Sequence, residues 1–193
     1  MIPLGNQSKP LLIGWFKRTI LNGEGFNWAY AGNQSLRGAI ERLFTNTNTE
    51  ASYYPNVNYF DLSKSQTSLI FLVLAISLLS YYSYKVLKQK QEIIMTEVAA
   101  CCSLMLLLSN LSWKAHFILL AIPLAVLGEK IFSQSKLEKT FSIVGLLVFF
   151  LLTSLTIQPI VGSQLHQWFE THSYYCVNTI IVFFLSLRTT GKI

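Results

Sequence analysis

The stretch from Ser68 to Leu87 holds no charged side chain before Lys85 and contains the unbroken run Leu69, Ile70, Phe71, Leu72, Val73, Leu74. A bilayer-crossing α-helix needs roughly 20 mostly apolar residues at about 1.5 Å rise per residue, and this segment meets that length. No other feature limits the fold as strongly. Four further apolar stretches follow, Ile93 to Asn110, Phe117 to Phe132, Phe141 to Ile160 and Tyr174 to Leu187. The third and fifth of the set are short, which fits tilted partners in a bundle or one re-entrant segment.

Composition points the same way. Charged residues make up 12% of the chain and apolar residues 52%, whereas a soluble domain carries about 25% charged residues. The polar, Gly- and Asn-rich sequence lies in residues 1–67 and the long apolar runs in residues 68–193. The expected fold is all-α: a polytopic membrane protein with about five transmembrane helices and an external amino-terminal helical region.

Basic residues near span ends favour the cytoplasmic side. Lys85, Lys88 and Lys90 follow the first span, Lys130, Lys136 and Lys139 the third, and Arg188 and Lys192 the fifth, whereas the two intervening loops share only Lys114. This asymmetry places the carboxy terminus in the cytoplasm and residues 1–67, 111–116 and 161–173 outside, in the cell membrane by expectation. The amino-terminal region carries Lys9, Lys17, Arg18, Arg37, Arg42 and Lys64. Long external segments translocate with little regard to charge. These cations form either a solvated face or a site for an anionic group such as phosphate. Met1 to Pro10 lacks the basic and apolar regions of a signal peptide. Either the first span carries the segment across as a reverse anchor, or the chain is the tail of a longer protein, which is the favoured reading.

Pro10 to Leu21 reads as a short helix with Leu11, Leu12, Trp15, Phe16 and Ile20 on its apolar side, suited to the membrane surface or to ordinary packing. The next element is more informative. Asn33 or Ser35 can cap a helix whose Leu36, Ile40, Leu43 and Phe44 share a face. Gly38 permits close approach of a backbone or ligand. The residues alone describe a capped amphipathic helix, with an anion site at its amino end as the sharper alternative.

The stretch Gly32 to Phe44, GNQSLRGAIERLF, resembles the Asn-Gln-Ser-Leu-x-Gly-x-x-x-Arg signature of the family 87 glycosyltransferases, polytopic enzymes of the GT-C class. A second landmark of that family, an external Ser-Trp followed by His, is matched by Ser112, Trp113 and His116. The resemblance covers the carboxy-terminal part of such an enzyme. It implies transfer of a sugar, hexosyl (mannosyl) or pentosyl, from a polyprenyl-phosphate donor to a glycolipid or glycan acceptor at the outer face, with no cofactor. It also implies that Asn33, Gln34, Ser35, Arg37, Arg42 and His116 bind the donor and its phosphate. Trp113 contacts the sugar or anchors the interface. The acidic base that these enzymes carry in their first external loop has no counterpart in the matched stretch.

Glu24, Asp61 and Glu170 are the candidate bases within the chain, and Glu97 is the clear carboxylate inside a span. Cys101, Cys102 and Cys176 read as small packing residues. His166 and His172 have no acidic partner at metal-binding spacing, and no metal site is expected. The basic balance belongs to membrane topology, so nucleic acid is not an expected partner. The rival reading is a non-catalytic membrane protein, a subunit, scaffold or lipid-binding remnant. A transporter is disfavoured by the single intramembrane carboxylate and the lack of an inverted repeat.

Overall fold

The structure is a computed structural model that describes residues 10, 12–14, 27–46, 54–88, 95–132, 136–154 and 156–187, without the side chain of Glu138. The described residues are helical, with no strand among them. In chain order they form α1 (Leu36–Phe44), α2 (Lys64–Lys88), α3 (Met95–Leu108), a 3-10 helix (Lys114–Leu120), α4 (Ala121–Lys130), α5 (Lys136–Ser154), α6 (Gln158–Thr171) and α7 (Tyr174–Leu187). The expected Pro10–Leu21 helix and Glu24 lie largely outside the described residues.

The centre is the pair α3 and α7. Leu107 shares a cluster with Cys176, and Ala100 and Leu104 share another with Phe183 and Leu187, so the two helices run antiparallel. Ala99, Ala100 and Ser103 are fully covered on α3; small side chains one turn apart let helix backbones approach closely. Between those clusters, Leu106 and Val182 pack with Phe117, Leu120 and Leu127. Helix α4 therefore fills the side of the central pair, and α5 packs on α4 and α7. Helix α2 turns Ile70, Phe71, Leu78, Tyr81 and Tyr82 inwards and leaves Leu69, Leu72, Val73 and Ile76 exposed. This is the pattern of a helix covered on one stripe only.

The boundaries differ from those expected at two places. The segment Phe117–Phe132 begins as a 3-10 helix from Lys114, and only its second part is α-helical. Because a 3-10 helix rises about 2 Å per residue, the two pieces laid end to end cover about 29 Å, close to a hydrocarbon thickness despite the shortness of α4. The segment Phe141–Ile160 is not continuous: α5 ends at Ser154, and Gln158 starts α6 at 90° to it. Ile157 is extended and Pro159 stands in the first turn of α6, where its missing N–H costs nothing. The expected loop 161–173 is consequently mostly helix, with Leu165 and Trp168 exposed and Glu170 and Thr171 buried.

Among the described residues, only α2 is by itself long and apolar enough to cross a membrane. The bent pair α5–α6 qualifies only taken together, and α3 and α7 are apolar but 14 residues long.

Candidate functional site

Asn33, Gln34 and Ser35 are fully buried and each makes a different connection. Ser35 is the cap of α1: its Oγ accepts from Gly38 N at 3.1 Å. Asn33 uses both ends of its amide. Its Oδ1 accepts from Ser35 N at 3.2 Å and Ser112 N at 3.1 Å, and its Nδ2 donates to the carbonyls of Trp28 and Asn110, both at 3.2 Å. Gln34 N donates to Ser112 O at 2.8 Å, while Nε2 donates to Ala31 O at 2.7 Å and to Glu170 O at 2.8 Å. The motif thus ties the segments 27–35, 110–112 and 170 together.

Gly38 is the position that makes this possible. A Cβ there would lie 2.6 Å from the backbone oxygen of Asn33 and 2.7 Å from its side chain. Any larger residue would push α1 off the Asn33 turn.

Arg42, expected at a phosphate, is turned inwards and 1% exposed. Its Nε donates to Thr171 O at 2.9 Å, and one terminal nitrogen donates to Tyr30 O at 2.7 Å, Asn33 O at 3.0 Å and Ala29 O at 3.4 Å. The other donates to Ser173 Oγ. Burial lowers its pKa to about 10, so the group stays a cation at neutral pH. What balances the charge is a ring of carbonyls that includes the carboxyl end of α6, the negative end of that helix dipole. Ser173 adopts the left-handed region, φ 59°, in the tight link between α6 and α7, a conformation unusual for a residue with a side chain. The Arg42 contact holds it there.

Beside this knot lies a polar cluster. Glu170, 2% exposed, accepts from Tyr54 OH at 2.7 Å through Oε2 and pairs with Lys114 Nζ through Oε1. Lys114 Nζ also lies 3.2 Å from His166 Nε2. An ammonium can only donate, so His166 Nε2 accepts; its Nδ1 then carries the proton and donates to Thr156 O at 2.6 Å. His166 Nε2 and Glu170 Oε2 are 3.6 Å apart, but this becomes an ion pair only if the ring gains a second proton, which would set two cations side by side at Lys114. In the arrangement observed, Lys114 is the partner of Glu170 and His166 is neutral.

His116 accepts from Trp113 N through Nδ1 at 3.1 Å, which closes the first turn of the 3-10 helix and leaves Nε2 as the protonated donor. The ring lines an open groove of about 360 Å³ whose walls include Met105, Leu106, Ser109, Ser112, Ile118 and Leu119. Trp113 is 52% exposed beside it.

Arg37 lies elsewhere: its guanidinium carbon lies over the Trp28 ring, 4.3 Å from its centre, and 5.7 Å from the ring centre of Phe71 on α2, with the Glu41 charge nearby. Of the candidate bases, Glu170 joins the cluster, whereas Asp61 is exposed in the link before α2. Glu97 is buried in α3, with its backbone carbonyl near Tyr82 OH. Among the described residues no group of three or more His, Cys, Asp or Glu is placed to hold a metal ion.

Sequence reasoning missed Lys114, His166 and Tyr54 as members of one site. The His166–Glu170 spacing of four on one helix was an available signal; the approach of Lys114 and Tyr54 was not. Comparison with protein-family models, with curated proteins and with solved structures finds no match to this chain.

Proposed function

We propose that this chain is a membrane glycosyltransferase or the carboxy-terminal portion of one, crossing the cell membrane about five times. It would transfer a sugar from a polyprenyl-phosphate donor to a glycolipid or glycan at the outer face. One observation carries this reading: the family-like motif from Asn33 to Arg42 is bonded to the same segment that presents Glu170 beside Lys114. The segments in that knot belong to the regions the loop charges assign outside, apart from Asn110 at the very end of the second expected span, which supports the five-span arrangement. The short helices α3 and α7 are the most enclosed pair; their ends can be covered by neighbours and by local thinning of the bilayer.

In this reading Glu170 is the base. The acceptor hydroxyl gives its proton to Glu170 and its oxygen forms a bond to the sugar anomeric carbon, while the carbon–oxygen bond to phosphate breaks and the polyprenyl phosphate leaves with the electron pair. Lys114 exchanges Glu170 for the leaving phosphate, uncovering the carboxylate, and His116 Nε2–H adds a second donor. Asn33, Gln34, Ser35 and Arg42 position these groups through the loops rather than touching the donor. Trp113 flanks the sugar or the interface.

The internal use of every motif side chain also favours a second reading, a non-catalytic membrane subunit that keeps the fold. Sugar transfer in membranes from a labelled polyprenyl-phosphate donor separates them. The transferase reading expects transfer by the parent and a loss of at least about 100-fold in Glu170→Gln at equal protein level. Parental rates in Glu170→Gln would remove the assigned base, and an inactive parent would leave the subunit reading.

A further inference from the structure

Glu170, Lys114 and His166 share one contact, and only the first two have a part in the proposed transfer. Lys114 Nζ pairs with Glu170 Oε1 and donates to His166 Nε2 at 3.2 Å. His166 Nε2 in turn stands 3.6 Å from Glu170 Oε2. The three are unequally free to move: the side chain of Glu170 is 3% exposed and that of His166 12%, whereas that of Lys114 is 46% exposed. Lys114 is therefore the member that swings out. His166 shares a helix with Glu170 and is tied through Nδ1–H to Thr156 O at 2.6 Å.

Departure of Lys114 changes two things at once. Glu170 loses its directly paired cation, and Oε2 keeps the neutral hydroxyl of Tyr54. Arg42 and Tyr174 feel the Glu170 charge, but the nitrogens of Arg42 donate to carbonyls and to Ser173 Oγ, and a phenol carries no positive charge. An enclosed carboxylate without a paired cation is costly. At the same moment His166 Nε2 loses the ammonium that occupied its lone pair and opposed a second charge on the ring. A proton on Nε2 then faces Oε2 directly, and histidine is the side chain suited to gain one near neutral pH.

We propose that His166 takes up a proton when Lys114 leaves Glu170 for a phosphate monoester, so that phosphate binding at this site is coupled to proton uptake. The proton comes from solvent and forms an N–H bond at Nε2; no other covalent bond changes. The histidinium and Tyr54 then hold Oε2, and Oε1, vacated by Lys114, is left to accept the proton of an acceptor hydroxyl. His166 is thus a positioning residue that keeps Glu170 ionised and fixed through the exchange. The coupling rests on the phosphate role given to Lys114 in the proposed function and not on sugar transfer itself.

The test uses the full chain in detergent with farnesyl phosphate as ligand, followed by titration calorimetry at about pH 7 in two buffers of different ionisation heat. The parent is expected to take up about 0.5–1 proton more per bound phosphate than His166→Asn, which keeps a donor for Thr156 O and has no titrating nitrogen. Farnesol is expected to cause no uptake. Nitrogen NMR of labelled histidine in the parent reads the same event without a variant: His166 Nε2 is expected to be bare in the free chain and protonated with ligand bound. Lys114→Gln is expected to show the doubly protonated ring with no ligand present. Binding with equal proton uptake in parent and His166→Asn, or a neutral His166 in Lys114→Gln, overturns the coupling and leaves the proposed function standing. Failure of the parent to bind farnesyl phosphate overturns both, whereas the coupling without sugar transfer would sink the transferase reading alone.

Discussion

Gln34 and Glu170 are 136 positions apart, yet the Gln34 side-chain amide donates to the Glu170 backbone carbonyl at 2.8 Å inside the protein. The same glutamine donates to Ala31 O and, through its backbone, to Ser112 O. One residue thus sets the distance between the strap before α1, the entry to the 3-10 helix and the end of α6. The carboxylate of Glu170 meets Lys114 because those three segments are joined.

Asn33→Asp keeps the size and the accepting oxygen of Asn33 and loses both donors to Trp28 O and Asn110 O. One buried and one part-buried carbonyl would lose a partner and a charge would be enclosed, so a loss of about 2–4 kcal/mol is expected. Thermal unfolding in detergent checks it, with Asn46→Asp, exposed beyond α1, as the comparison expected to be near parental.

Two glycines should behave oppositely. Gly38→Ala places a methyl 2.6 Å from the Asn33 backbone oxygen, and the overpacking is expected to cost about 1–3 kcal/mol. Gly128→Ala in α4 meets nothing within 4 Å and should gain up to about 1 kcal/mol of helix propensity. Melting temperatures of the two variants, measured side by side, should move in opposite directions.

Arg42→Met removes a buried cation together with its bonds to Thr171, Tyr30, Asn33 and Ser173. It leaves several carbonyls unpaired, and a loss of about 3–5 kcal/mol is expected. Arg42→Lys retains the charge but not the fork, and should recover only part of that stability. A Lys variant as stable as the parent would show that charge alone, not guanidinium geometry, holds the loops.

Burial raises the pKa of Glu41, against the opposing hydrogen bond from Thr67 and the charges of Arg37 and Lys64. The folded state then holds its proton more tightly than the unfolded state. Stability from this group is full below the ordinary carboxyl range and declines as pH rises through the raised folded value. Glu41→Gln keeps an acceptor for Thr67 and removes the titration. Its stability relative to the parent should therefore improve from acid towards neutral pH; an unchanged difference across that range would contradict the assignment.

The apolar runs made α2, α3 and α7 legible, because a continuous apolar segment is visible in the local sequence alone. Helix α6 was not, since residues 158–171 mix Gln, Ser and His with Leu165 and Trp168 and show no long apolar run. The motif was readable as a capped helix with a close approach at Gly38, and Ser35 and Gly38 take those places. The inward turn of Arg42 was not readable: a fully buried arginine is rare, and the carbonyls that receive it come from Tyr30, Asn33 and the end of α6, gathered only by folding. For the same reason the contacts of Glu170 with Lys114 and Tyr54 could not be read from the sequence.

The most direct measurement of the central claim, that the Asn33–Arg42 motif acts by positioning Glu170, is a double-mutant cycle on sugar transfer with Gln34→Leu and Glu170→Gln. The account predicts that Gln34→Leu alone slows transfer by about 100-fold, and that it has almost no further effect once Glu170 is already replaced, because the two act as one unit. Effects that simply multiply in the double variant would contradict it.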